Sequence, residues 1–285
     1  IPGALDKNPI KLEDVFITLQ ASRSISKADI MLEDEDGEEQ KRDDEPHRPQ
    51  DVRITETINV FSVSEALSNS RNLVILGAPG SGKSTLMKYL ALTFAQNKVK
   101  ERLELDDDKL PIFIAIKEFP SGNIAENLTN YINKHLQLDL PKDFFIPYLE
   151  AGKCIVMFDG LDEVANVRQR SEMAKKVMLF ANRYPGNRCI ITSRIAGYRE
   201  IQGIPEEAFP HLTIRDLSDD QIKDFTNKWY SVRFPFEAGK WTADLTEAMG
   251  RTPRVRQLAT NPLMLTIIVL VHRSGAELPN ERIKL

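Results

Sequence analysis

The sequence predicts a three-layer α/β fold, a parallel sheet covered by helices on both faces, followed by a small helical domain. Three observations carry that expectation. Short, strongly apolar runs alternate with amphipathic helical stretches from residue 72 to residue 214. A glycine-rich turn joins the first of these runs directly to a helix. From Ser218 onward the pattern is helical. Strands this apolar need cover on both faces, and intervening amphipathic helices supply it.

Taken in order, "DVFITLQ" (14–20) reads as a strand. Residues 33–50, "EDEDGEEQKRDDEPHRPQ", contain no large apolar side chain and cannot repay their ordering entropy. They are expected to form a solvated loop or linker, or else a partner-binding or regulatory loop. "VRITETINVFSVSEALS" supplies a strand-like piece and a short helix starting near Ser64. "NLVILG" is the first core strand, and "KSTLMKYLALTFAQ" a helix with Leu86, Leu90 and Phe94 on one face. "PIFIAIK" (111–117) is the second strand, and "AENLTNYINKHL" a helix with Leu128, Ile132 and Leu136 aligned. "DFFIPYLEAG" reads as a short helix interrupted by Pro147. "KCIVMFD" (153–159) is the third strand. The helix "SEMAKKVMLFANRYPG" follows, with Ala174, Val177, Met178 and Ala181 inward and Pro185-Gly186 closing it. "RCIITSR" (188–194) and "HLTI" (211–214) complete the strands. Ser218 caps a helix with Ile222, Phe225 and Trp229 on one face, and helices near 239–250, 253–260 and 262–273 follow.

The 285 residues suffice for one large domain and a smaller one. A net charge of -4 gives no global pointer to nucleic acid or anionic lipid. The longest apolar run, "LMLTIIVLV", is far short of the ~18–20 residues that span a bilayer, so no membrane segment is expected. Cys154 and Cys189 lie inside apolar runs, as buried reduced thiols of a cytoplasmic protein would. If their strands are adjacent, the thiols are neighbours. The start at Ile1 and the abrupt stop at Leu285 suggest a piece of a longer protein.

The chemistry concentrates in "GAPGSGKST". Gly77, four residues and Gly82-Lys83-Ser84 match the phosphate-loop pattern in its required strand-to-helix context. The loop amides from Gly77, Ala78, Pro79, Gly80, Ser81 and Gly82 onward, with the helix start, are expected to surround an anion; proline lends only its carbonyl and shape. Lys83 is expected to reach the β and γ phosphates, Ser84 to ligate Mg²⁺, and Thr85 to lie near the α phosphate. The bland alternative is a glycine-rich turn without a ligand.

"CIVMFDGLDEV" (154–164) places Asp159 at the carboxyl end of a strand, where open α/β sheets bind ligands. Asp159 is expected to hold Mg²⁺ through its water shell. Glu163, or else Asp162, is positioned to take a proton from an attacking water. As ordinary helix-start charges the same two acids need no function. Arg194, ending "TSR", either senses the γ phosphate or pairs with an acid on the next strand. In "GRTPRVRQLATNPLML", Asn261 caps a buried helix that begins at Pro262. Pro262 is either ordinary capping chemistry or a rigid surface against an adenine ring.

With the phosphate loop, "FDGLDE", "TSR" and "NPLML" together, the chain resembles a NACHT domain, the nucleotide-switch module of the STAND class of P-loop NTPases. Its short "LEDVFI" strand ahead of the loop is most similar to bacterial and cyanobacterial members. The resemblance implies an ASCE/AAA+-like parallel sheet ordered 5-1-4-3-2 over residues 64–216. It implies a first helical domain over 217–275 and the start of a winged-helix domain at 276–285, with 1–63 as an N-terminal strand segment. It implies ATP or ADP as ligand, Mg²⁺ dependence and slow hydrolysis. Gly77–Thr85 then resemble Walker A, Asp159 the metal-coordinating acid of Walker B, Asp162 and Glu163 the water-activating pair. Arg194 resembles the sensor 1 arginine, and Pro262 the adenine-contacting proline. Partners implied are further copies of the chain on activation, with effector and sensor regions outside it, in defence or stress signalling. His272 lies too early to be the winged-helix histidine that contacts ADP.

Two other classes remain open at this stage. One is a turnover ATPase or nucleotide kinase acting on a small molecule, and the other a nucleic-acid-stimulated ATPase. The sequence shows no arginine-rich lid after the third strand for a kinase. Only the cluster Arg251, Arg254 and Arg256 speaks for nucleic acid.

Overall fold

The computed structural model describes residues 10–22, 60–120, 122–201 and 203–274. The insert at 33–50 and the winged-helix start at 276–285 lie outside the described residues.

The described residues open with a single helical turn, α1 (Leu12–Val15), and a short strand β1 (Gln20–Ser22). Strand β2 (Val60–Ser62) leads into helix α2 (Val63–Asn69), whose capping box joins Ser62 and Glu65. Then come β3 (Asn72–Leu76), α3 (Lys83–Ala95), α4 (Val99–Leu103) and β4 (Leu110–Ala115). Helices α5 (Ile124–Leu136) and α6 (Ile146–Glu150) precede β5 (Cys154–Asp159). Helix α7 (Val167–Arg183), β6 (Arg188–Ser193), α8 (Ile195–Arg199) and β7 (His211–Ile214) complete the sheet unit. The helical annex is α9 (Asp219–Arg233), α10 (Ala238–Arg251), α11 (Pro253–Leu258) and α12 (Pro262–Arg273).

The sheet runs β2-β1-β7-β3-β6-β5-β4. The five strands from β7 to β4 are parallel, and β1 and β2 extend the edge as antiparallel strands. Alternation along the strands divides the core into two layers. Leu73, Ile75, Ile155, Met157, Ile190 and Leu212 pack under α3 and the annex. Val74, Leu76, Ile112, Ile114, Val156 and Ile191 pack under α5 and α7. This two-sided burial is why the strands read as unbroken apolar runs.

Three local expectations are corrected. "DVFITLQ" is not one strand: Leu12–Val15 forms a helical turn with Glu13 and Asp14 at its start, and pairing begins only at Gln20. Its apolar residues line a cavity instead of entering the ladder. Pro147 does not break a helix but sits in the first turn of α6, where a missing N–H costs nothing. Strand β4 stops at Ala115, and Ile116–Glu118 form a 3₁₀ turn. Cys154 and Cys189 do lie on adjacent strands, buried and free, with both thiols pushed by burial up to about 12.

Candidate nucleotide site

Strand β3 ends at Leu76, and the loop 77–82 delivers the chain into α3 at Lys83. Gly80 and Gly82 adopt φ of +75° and +91°, the left-handed region that a side chain disfavours. A Cβ on Gly80 would also lie 2.8 Å from Asn261 Oδ1 and 3.0 Å from Leu263 Cβ. Lys83 Nζ donates to the carbonyls of Gly77 at 2.7 Å and Ala78 at 2.9 Å, which pins the ammonium over the loop. Ser84 and Thr85 are exposed in the first turn of α3. The loop therefore combines a fixed cation with the positive end of a 13-residue helix.

The acidic side of the site comes from the ends of β5 and β6. Asp159 is the last residue of β5, one position beyond the Phe158–Ile191 pair. The buried Thr192 hydroxyl donates to Asp159 Oδ1 at 2.6 Å and accepts the Gly160 N–H at 2.9 Å. Asp162 is committed to Arg194: Oδ1 accepts its backbone N–H at 2.8 Å, and Oδ2 pairs with its Nε at 3.2 Å. Of the two readings of Arg194, the ion pair is therefore formed, with an acid in the turn after the neighbouring strand. Glu163 instead reaches outward to Lys117 at 2.8 Å, with both side chains about half exposed. That hydrogen bond raises the Lys117 ammonium above its ordinary value.

Loop, acids and annex surround one cavity of about 580 Å³. Gly80, Lys83, Ser84, Asp159, Asp162, Glu163 and Arg194 are among the residues that line it. Pro262, which lies against Gly82 of the loop, lines it together with the apolar Leu217, Phe225 and Trp229. The third apolar wall is the N-terminal segment, through Leu12, Phe16, Ile17 and Leu19. Sequence reading missed that wall and the hydroxyl of Thr192. Phe16 is stacked on Tyr89 of α3, with centroids 3.6 Å apart and planes 6° from parallel. Glu13 accepts from Arg102 at 3.0 Å, and the guanidinium holds its carboxyl below the usual range. The stack ties the wall to α3, the helix that starts at the phosphate loop, and the ion pair ties it to α4.

The oxygen donors suit a hard divalent cation. Ser84 offers a hydroxyl and Asp159 a carboxylate in the same cavity. Among the described residues no group of three His, Cys, Asp or Glu could hold a metal alone. Mg²⁺ fits such a set because it keeps most of its water and takes phosphate oxygens as ligands.

A parallel α/β sheet, a complete phosphate loop and an acidic strand end facing it define a nucleotide-binding protein of the P-loop NTPase class. Within that class the NACHT domain model matches residues 71–233, and the chain belongs to the NACHT family. None of the curated proteins compared with the chain matches it. Among solved structures it is similar to the Walker-type ATPase of Pyrococcus abyssi, at 15% identity and a TM-score of 0.45, covering 75% of this chain and 66% of that one. It is also similar to domain III of the replication initiation protein DnaA from Thermotoga maritima, at 14% identity and 0.41, covering 76% and 83%. AMPPCP-bound DnaA from Aquifex aeolicus gives 15% identity and 0.35, over 59% and 49%. No described helix is long and apolar enough to cross a membrane.

Proposed function

We propose that the chain is a Mg²⁺-dependent ATP/ADP switch of the NACHT type with slow hydrolysis, which opens and self-associates in the ATP state as part of a signalling protein. The observation that supports this best is one cavity lined both by the phosphate loop and by a chamber of apolar side chains. The chamber walls are Leu12, Phe16, Ile17, Leu217, Phe225, Trp229 and Pro262. Guanine carries more polar edge atoms than adenine into such a chamber, and unpaired buried polar atoms are costly. Adenine is therefore the favoured base, with Pro262 as one face of its slot.

In this reading residues 64–216 bind the nucleotide and 217–275 form the helical domain that closes over it. Lys83 and the loop amides hold the phosphates. Ser84 and Asp159 hold Mg²⁺, which when bound offsets phosphate charge. Glu163 takes the proton of the attacking water: its pair with Lys117 is exposed, whereas Asp162 carries two contacts to Arg194. Arg194 keeps half of its side chain exposed toward the cavity and is the group able to leave Asp162 for a γ phosphate. A switch needs different affinities in two conformations, and a helical domain that lines the nucleotide cavity meets that need.

The test is the nucleotide carried through gentle purification, with phosphate release measured on wild type and Lys83→Ala. Retained ADP, slow turnover and loss of binding in Lys83→Ala are expected. Micromolar ATP binding by Lys83→Ala would sink the loop assignment. Strong stimulation by DNA, RNA or a metabolite would replace the switch with a turnover enzyme.

A further inference from the structure

The phosphate loop is held from outside by the helical annex. Asn261 Nδ2 donates to the Pro79 carbonyl at 2.9 Å, and the Leu263 N–H donates to the Gly80 carbonyl at 3.2 Å. Both donors belong to the start of α12, some 180 residues along the chain from the loop. The same Asn261 uses its other amide atom as the helix cap, accepting from Leu263 N–H at 3.0 Å and Met264 N–H at 3.3 Å. One side chain thus serves two separable purposes.

Planarity gives the contact a consequence inside the loop. Across a trans peptide the C=O and the following N–H point in opposite directions. Turning the Pro79 and Gly80 carbonyls toward α12 turns the Gly80 and Ser81 N–H groups away from it. Ser81 N–H accordingly meets the Ala78 carbonyl at 3.2 Å, and that carbonyl also receives Lys83 Nζ. The annex therefore sets the direction of the Pro79–Gly80 and Gly80–Ser81 peptides in the middle of the loop. Gly80 is the point of closest approach, because a Cβ there would collide with Asn261 and Leu263 together.

We propose, on the nucleotide-binding reading above, that Asn261 is a positioning residue for the phosphate loop, through which the seat of the helical annex and nucleotide affinity are coupled. Coupling of this kind is reciprocal. Moving α12 off the loop loosens the nucleotide, and bound nucleotide steadies the start of α12.

Asn261→Ser separates the two purposes. Serine is an equally good cap but is too short to reach Pro79, so the helix and the Leu263–Gly80 bond are kept and only the Asn261–Pro79 contact is lost. Calorimetric titration of Mg-ADP into the full chain, stripped of any bound nucleotide, is expected to give about five- to tenfold weaker binding than wild type, the size of one hydrogen bond. The nucleotide-free melting temperature is expected to stay within about 2 °C, which a purely structural role would not explain alongside the lost affinity. Amide exchange supplies a check on wild type alone: Mg-ADP should slow exchange in a peptide spanning 261–265. Equal affinity of Asn261→Ser and wild type, or no protection of 261–265 by Mg-ADP, overturns the proposal. A wild type that binds no nucleotide at all overturns the nucleotide-binding reading itself, and this inference with it.

Discussion

The Thr192 hydroxyl donates to Asp159 Oδ1 at 2.6 Å while receiving the Gly160 N–H at 2.9 Å. One buried side chain on β6 therefore fixes both the acid at the end of β5 and the turn that follows it. Thr192→Val has the same shape but leaves Gly160 N–H and one carboxylate lone pair without a partner. A loss of about 1–3 kcal/mol of stability is expected, with weaker Mg²⁺ dependence of nucleotide binding. Thr192→Ser should restore most of both. Denaturant unfolding and Mg²⁺ titrations check this, and a Thr192→Val protein as stable as wild type would refute it.

Asp162 and Glu163 should behave differently when each loses its charge. Asp162→Asn weakens two contacts to Arg194, so stability should fall by roughly 1–2 kcal/mol. Glu163→Gln disturbs only an exposed pair with Lys117, so the melting temperature should hardly change. Phosphate release should nevertheless drop by about 10²–10⁴-fold in Glu163→Gln, with ATP binding kept. Unchanged turnover there would transfer the base role to Asp162.

The N-terminal wall predicts an affinity effect far from the phosphates. Phe16→Ala removes the stack on Tyr89 and part of the apolar chamber. Nucleotide affinity should fall by up to about tenfold, the value of one aromatic contact. Arg102 lowers the pKa of Glu13 in the folded chain. The Glu13–Arg102 tether is thus intact above the ordinary glutamate range and is lost as pH falls through the lowered value. Titrations of wild type and Phe16→Ala with a fluorescent ADP analogue test the first point, and a pH series on wild type the second. Equal affinities for the two proteins would remove Phe16 from the site.

Cys154 and Cys189 should be inert thiols. With both pushed up to about 12, the thiolate fraction at pH 8 is on the order of 10⁻⁴. Reaction with a thiol-specific disulfide reagent at pH 8 should be at least ~100-fold slower in native protein than in urea. Similar rates in the two conditions would show that β5 and β6 open readily.

The sequence alone determined the features that depend on local spacing. Alternating apolar strands and helices gave the layers, and "GAPGSGKST" between a strand and a helix located the phosphate loop. The strand end at Asp159 and the cap at Asn261 were readable for the same reason: each is set by residues within a few positions. Tertiary structure alone decided what depends on distant segments meeting. It turned "DVFITLQ" from an expected strand into a cavity wall, because those apolar residues are buried against α3 and the annex instead of a strand partner. It assigned Asp162 to Arg194 and left Glu163 facing Lys117, a division that two adjacent acids do not reveal. It brought Asn261 to Pro79 and Thr192 to Asp159, because hydrogen bonds between distant elements follow from how the layers stack and leave no periodic trace in the chain.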